Sequence, residues 1–231
     1  MSQESLSSVD KLIRSFGRIK SRKLSNPKKD LLDNFLPKHL LSNDFKEFQN
    51  LKKQENILEI GFGFGDFLFN FAQKNPQKNF FGFEPHLNGV VNLLNLIKEN
   101  DIKNIKISTH DIRQQIDIFP NNFFDRVYLL FPDPWPKNKH FKRRLITNKF
   151  LDEIISPKVK DSGKIIIATD HDAYKTWILV NILNSEKFVW TAQSKADWQN
   201  FPKDWVLTKY QKKALIEKRS AVFFELIKNN Y

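Results

Sequence analysis

Five carboxylates in this chain follow or end short apolar runs: Glu59, Glu84, Asp111, Asp133 and Asp170. Each run has the composition of a buried strand, which puts each acid at or near a strand end. Carboxylates gathered away from water are costly unless a cation or a hydrogen-bond donor meets them. Single members of such a set also serve as caps for the following helix. The fourth acid lies in Phe131-Pro132-Asp133-Pro134-Trp135-Pro136-Lys137, whose three prolines can neither continue a strand nor start a regular helix. This rigid loop presents a carboxylate, an indole and an ammonium group, which can hydrogen-bond, stack on and steer a flat, polyanionic substrate.

Beside Glu59 runs Gly61-Phe62-Gly63-Phe64-Gly65, with Asp66 opening the next segment. Such glycines turn tightly and let a ligand approach the backbone. A dinucleotide loop reads G-x-G-x-x-G and aims a helix N-terminus at a pyrophosphate. Here the pattern is G-x-G-x-G between two carboxylates, which repel a pyrophosphate and suit a cationic cofactor. S-adenosyl-L-methionine, with its α-ammonium and sulfonium, meets that requirement. Gly61 and Gly63 then approach the cofactor, and Glu84 is placed to accept from its ribose hydroxyls. Asp111 is placed to accept from the adenine amino group. An NAD-dependent oxidoreductase is the competing reading of this half.

Trp135 is either a platform for a base or a residue buried against the sheet edge; base stacking is worth about 1–3 kcal/mol. Asp170 either accepts from guanine N1–H and N2 or caps the helix starting at His171. Lys137, Lys139, Lys142, Arg143, Arg144 and Lys149 lie in one stretch without an acid. That stretch is a phosphate track or a solvated face. The segment Lys11 to Lys29 holds eight Lys/Arg and no acid. Arg14 and Arg18 belong to this arm, which is a solvated tail or orders on nucleic acid.

The elements that must position these residues alternate. Strands are expected at Asn56 to Ile60, Asn79 to Phe83, Ile105 to Thr109, Phe124 to Phe131 and Lys164 to Thr169. Helices are expected from Asp66 to Asn75, Leu87 to Asn100, Thr147 to Val159 and His171 to Leu183, with shorter ones at Asp30 to Leu41 and Asn43 to Leu51. Asp161-Ser162-Gly163 reads as a turn. Two later strands, Phe188 to Ala192 and Ala221 to Ile227, flank a polar, Trp-containing loop. Strand–helix alternation at this spacing predicts an α/β fold with a mostly parallel sheet and helices on both faces, its strand ends forming one crevice. Residues 1–40 read as a basic, partly flexible N-terminal arm and 41–231 as the domain.

The 231 residues carry a formal charge of +12 and 22 Phe, enough for a large core and favourable for polyanionic partners. No apolar run approaches the roughly 20 residues of a spanning helix. Met1 to Asp10 lacks the apolar core of a secretory signal. The absence of Cys excludes disulfides and thiolate metal sites. The five His show no metal spacing. A cytoplasmic setting without membrane or metal partners is expected, as monomer or homodimer.

The chain resembles bacterial tRNA (guanine-N7-)-methyltransferases, which are class I S-adenosylmethionine-dependent enzymes. The resemblance runs through Arg14-Ser15-Phe16, Leu58 to Gly65, Glu84, His110-Asp111, Phe131 to Lys137, Lys142-Arg143-Arg144, Ala168-Thr169-Asp170 and Thr208-Lys209-Tyr210. It implies a Rossmann-like class I methyltransferase fold with a seven-stranded sheet. The implied reaction methylates N7 of a guanosine in the tRNA variable loop. The resemblance also implies cofactor roles for Glu59, Glu84, Asp111 and Asp133, the last often regarded as catalytic. Substrate contacts are implied for Lys137, Asp170, Thr208, Lys209, Tyr210 and Gln211. At Gln211 the family usually has Glu, so an acceptor is kept and a charge is lost. A non-catalytic RNA-binding module on the same scaffold is the alternative from another class.

Overall fold

The computed structural model describes residues 25–42, 45–51, 53–203, 205–217 and 219–229. Arg14 and Arg18 lie outside the described residues. Seven strands form one sheet: β1 (Asn56–Ile60), β2 (Asn79–Phe83), β3 (Ile105–Ser108), β4 (Phe124–Leu130), β5 (Val159–Thr169), β6 (Phe188–Trp190) and β7 (Val222–Lys228). Their order is β3-β2-β1-β4-β5-β7-β6, parallel except where β7 pairs antiparallel with β5 and β6. The chain leaves β1 toward β2 and β3, then crosses to β4 on the other side of β1. The crevice of such a sheet opens at that reversal, outside the carboxyl ends of the strands.

Successive strand residues feed opposite faces, as the two-residue period requires. Leu58, Phe81, Val127, Ile165 and Phe224 pack into one core layer. Their neighbours Ile57, Phe80, Tyr128, Ile166 and Phe223 pack into the other. The first layer is rich in phenylalanine; Phe119 and Phe124 meet edge-on at 4.8 Å and Phe81 and Phe119 at 5.4 Å. The helices covering the sheet are α1 (Asn26–Asp30), α2 (Phe45–Leu51), α3 (Asp66–Lys74), α4 (Leu87–Glu99), α5 (Ile112–Gln115), α6 (Asp172–Leu183), α7 (Lys195–Gln199) and α8 (Lys209–Ile216). α3 and α4 lie on one face; α2, α5 and α6 lie on the other.

Several expectations need correction. Thr147 to Val159 is not one helix: a π-helical stretch, Phe150–Ile155, gives way to a 3-10 turn, Ser156–Lys158. Pro157 explains this, because its ring excludes the carbonyl four residues back and it offers no N–H. Pro37 has the same effect, where π-helical Leu31–Phe35 passes into 3-10 Leu36–Lys38. Asp161-Ser162-Gly163 does not separate a helix from a strand. β5 runs back to Val159, and the register against β4 shifts between Phe124 and Arg126. Ser162, at φ +59°, is the positive-φ residue of that bulge. The polar stretch before β7 holds two short helices, α7 and α8. The packed domain also begins before residue 41: Leu31 is buried in the core, and Leu40 pairs with Ile107 beside β3.

Candidate active site at the carboxyl edge of the sheet

The glycine loop folds as its residues dictate. Gly61, Gly63 and Gly65 all have positive φ, at +73°, +54° and +79°. A Cβ at Gly61 or Gly63 would point into open space, so the loop lines a cradle. Glu84, just past β2, fixes the loop from the side: Gly63 N–H donates to its Oε2 and His86 N–H to its Oε1, both at 2.8 Å. α4 comes closer still, since a Cβ on Gly89 would lie 2.1 Å from the Gly63 carbonyl oxygen.

Glu59 is the most unusual group of the site. It is 2% exposed, and its Oε2 is sealed from solvent with no hydrogen-bond partner. Burial, then the Glu84 and Asp66 carboxylates, push its carboxyl up to about 8; the Leu68 amide opposes them. Glu84 is also raised, mainly by burial and further by Asp133, with the His86 and Gly63 amides acting against it. Glu59, Glu84, Asp66 and Asp133 are thus one electrostatic group. A cation seated among them would relieve its repulsion, and these acceptors fit the ammonium of the expected cofactor.

Asp111 takes a different position. It caps α5, accepting from Arg113 N–H at 3.0 Å, and the Arg113 guanidinium grips both its oxygens at 2.8 and 2.7 Å. Asp170 pairs with Arg219 and is largely buried. It does not cap α6, whose N-cap residue is His171 without a side-chain cap bond. Arg113 and Arg219 are partners of two expected site residues that sequence reasoning missed. Arg113 carried a local signal, two residues after an acid that can cap a helix; Arg219 carried none.

The proline loop leaves β4 through two bulky residues with positive φ, Phe131 at +53° and Trp135 at +43°. Backbone in that region costs about 1–3 kcal/mol per residue unless the surroundings impose it. Asp133 is exposed between them. The Trp135 ring is half-buried, with the Arg143 guanidinium 4.9 Å over it and the His140 ring edge-on at 5.7 Å. Lys137, Lys139 and Lys142 are exposed along and beside a 3-10 stretch, Asn138–Arg143. Arg144 departs from them. It is 4% exposed, and Nε donates to the Pro134 carbonyl at 2.8 Å.

Thr208 and Gln211 form a reciprocal cap at the start of α8. Gln211 N–H donates to Thr208 Oγ1 and Thr208 N–H to Gln211 Oε1, both at 3.1 Å. Trp205 Nε1 donates to the same Oε1 at 3.0 Å. The acceptor that Gln211 retains is therefore used inside the protein, while its buried Nε2 has no partner. Lys209 and Tyr210 fall on the first turn of α8; their side chains lie outside the described residues. Among the described residues no group of His, Cys, Asp and Glu could hold a metal ion. No helix among them is long and apolar enough to cross a membrane.

The comparisons agree with this geometry. A family model described as "Putative methyltransferase" matches residues 53–224. A tRNA (guanine-N(7)-)-methyltransferase of Agrobacterium fabrum is 37% identical over 221 residues, covering 92% of this chain and 94% of that protein. One of Wolbachia pipientis is 37% identical over 197 residues, covering 84% and 86%. A bifunctional methyltransferase of Rickettsia conorii is 37% identical over 93% of this chain, which corresponds to 40% of that longer protein. Among solved structures, the 16S rRNA methyltransferase KamB superposes with TM-score 0.57 at 11% identity, covering 82% of this chain and 96% of its own. An antibiotic-related methyltransferase gives 0.55 at 14%, covering 83% and 97%. These structures show the fold, a class I methyltransferase sheet. With relatives this similar along nearly their whole length, the chain belongs to the tRNA (guanine-N(7)-)-methyltransferase family.

Proposed function

We propose that this chain transfers a methyl group from S-adenosyl-L-methionine to N7 of a guanosine in the variable loop of tRNA. The observation that carries the reading is the partnerless, buried Oε2 of Glu59 beside an open glycine cradle, joined electrostatically to Glu84 and Asp133. Glu59 would hold the cofactor's ammonium, Glu84 its ribose hydroxyls, and Gly61 and Gly63 the close backbone approach. Asp111 reaches the adenine amino group with the lone pairs that Arg113 leaves free, since a carboxylate offers about four acceptor sites. The bound cofactor supplies an electrophilic methyl group on a sulfonium.

Guanine N7 has a free lone pair at neutral pH, so no general base has to remove a proton before attack. The protein's tasks are alignment and tolerance of a purine that becomes cationic. Asp133, catalytic in this sense, favours by its charge the positive charge growing on the ring. Asp170 remains an acceptor for guanine N1–H and N2 beside Arg219. Lys137 and the Thr208–Gln211 turn meet the substrate, with Gln211 shaping the turn from within through its Oε1. Lys139, Lys142 and Arg143, with Arg14 and Arg18 of the arm, neutralise phosphates. With tRNA as substrate, we infer a cytoplasmic setting.

A binding titration with S-adenosylmethionine and with NADH tests the cofactor half. Saturable binding of the first and none of the second is expected; the reverse would return the site to dinucleotide chemistry.

A further inference from the structure

Pro132, Pro134 and Pro136 deprive the substrate loop of three backbone donors. Few N–H groups remain to hold the loop, and Phe131 and Trp135 sit in a backbone region that bulky residues avoid. The surroundings must impose the conformation, through the N–H groups that remain and through the loop's carbonyls. At its start, Phe131 N–H donates to the Ala168 carbonyl at 2.8 Å, tying it to β5. At its centre the anchor is Arg144, whose Nε donates to the Pro134 carbonyl at 2.8 Å, one residue from Asp133.

Arg144 is itself held. Its guanidinium lies 3.7 Å over the Phe141 ring, 4.8 Å from that of Trp177 and 5.3 Å from that of Tyr174. Trp177 and Tyr174 belong to α6, and Trp177 Nε1 is fixed by the Ile146 carbonyl at 2.7 Å. The side chain therefore bridges α6 to the middle of the proline loop. Nη2 is sealed from solvent without a partner, so a phosphate could reach it only by opening the cage. Lys139 and Lys142, by contrast, are exposed.

We propose that Arg144 is a positioning residue that acts through the Pro134 carbonyl to hold Asp133 in the crevice, and is not a phosphate contact. The inference rests on methyl transfer to tRNA as the reaction. It separates Arg144 from its neighbours in a run of basic residues whose members look alike in sequence. Planarity matters as much as charge here, because a flat fork can stack between rings while donating along its edge, and an ammonium cannot.

The test compares Arg144→Lys, Phe141→Leu and Lys142→Ala with the wild type, reading kcat at saturating tRNA, tRNA Kd and the salt dependence of Kd. Arg144→Lys should lower kcat by about tenfold or more and leave Kd and its salt slope within about twofold, since the charge is kept. Phe141→Leu, which changes no charge, should lower kcat in the same direction. Lys142→Ala should show the opposite split. A phosphate role predicts that Arg144→Lys keeps wild-type kcat, and that result would overturn the proposal. Thermal unfolding and cofactor affinity identify a variant that has merely lost its fold, in which case Phe141→Leu decides. If the wild type itself does not methylate tRNA, the reaction is wrong, and the clamp is still read from hydrogen exchange at the Asp133 and Trp135 amides. Faster exchange in Arg144→Lys supports the clamp; unchanged exchange refutes it.

Discussion

Glu59 sits inside β1 with one oxygen sealed from solvent, and burial beside Glu84 and Asp66 raises its carboxyl from 4.5 to about 8. Between those values the folded protein binds a proton that the unfolded chain has released. Stability of the free protein therefore falls as pH rises through that window. A cation seated against Glu59 favours its ionised form, so cofactor binding expels the proton. Affinity for S-adenosylmethionine should rise from about pH 5 to pH 7 by several-fold per unit, with tenfold as the ceiling for one proton. Calorimetry in buffers of different ionisation enthalpy should record close to one proton released near pH 7 and almost none in Glu59→Gln. A wild type that releases no proton contradicts a cationic partner at Glu59. At Asp133 the expectation is simpler. Asp133→Ala keeps the fold, weakens cofactor binding, and loses about 10²–10³-fold in kcat at saturating cofactor and tRNA, the scale of one electrostatic group aimed at developing charge. Full turnover would mean that the loop's carboxylate takes no part.

The glycine loop and α4 approach so closely that Gly89 has no room for a side chain. Gly89→Ala places a Cβ 2.1 Å from the Gly63 carbonyl oxygen, a backbone atom that cannot rotate away. The loop must shift, so cofactor affinity should fall by at least about tenfold, with a stability loss of about 1–3 kcal/mol typical of overpacking. Calorimetric titration and thermal unfolding check both figures. The role of Gly89 was not visible in the sequence, where it is one residue of a plausible helix. β1 and β2 were legible to the residue because each is a short, mostly apolar run, NILEI and NFFGF, bounded by polar or glycine-rich turns. The strand-end acids were legible for the same reason, since a run's end fixes where its acid sits, though not what it meets: Asp111 turns to Arg113. Partners were not: Arg144 meets Pro134, and Arg219 meets Asp170, through tertiary packing that no spacing encodes. α7 and α8 were missed because they are short and polar and are held by caps, Ser194 with Asp197 and Thr208 with Gln211, rather than by a long apolar stripe.

Across the whole molecule, a formal charge of +12 has to be carried without repelling itself apart. That figure already counts the 26 acids, which pair with part of the 38 Lys and Arg, as where Lys160 meets Asp125 and Lys164 meets Glu225, at 2.7 and 2.6 Å. The exposed Lys137, Lys139 and Lys142 stand instead beside the crevice, on the side of the proline loop. Binding of tRNA should weaken steeply with salt, and Lys139→Ala should reduce the log–log slope by about one. An unchanged slope would remove Lys139 from the interface. The expectations for turnover and tRNA depend on the reaction, and one measurement addresses it directly. The protein is incubated with unmodified tRNA and labelled S-adenosylmethionine, and the digested nucleosides are separated. The account predicts label in 7-methylguanosine, arising from the variable loop and lost in Asp133→Ala. Label in any other nucleoside, or none in tRNA, would contradict it.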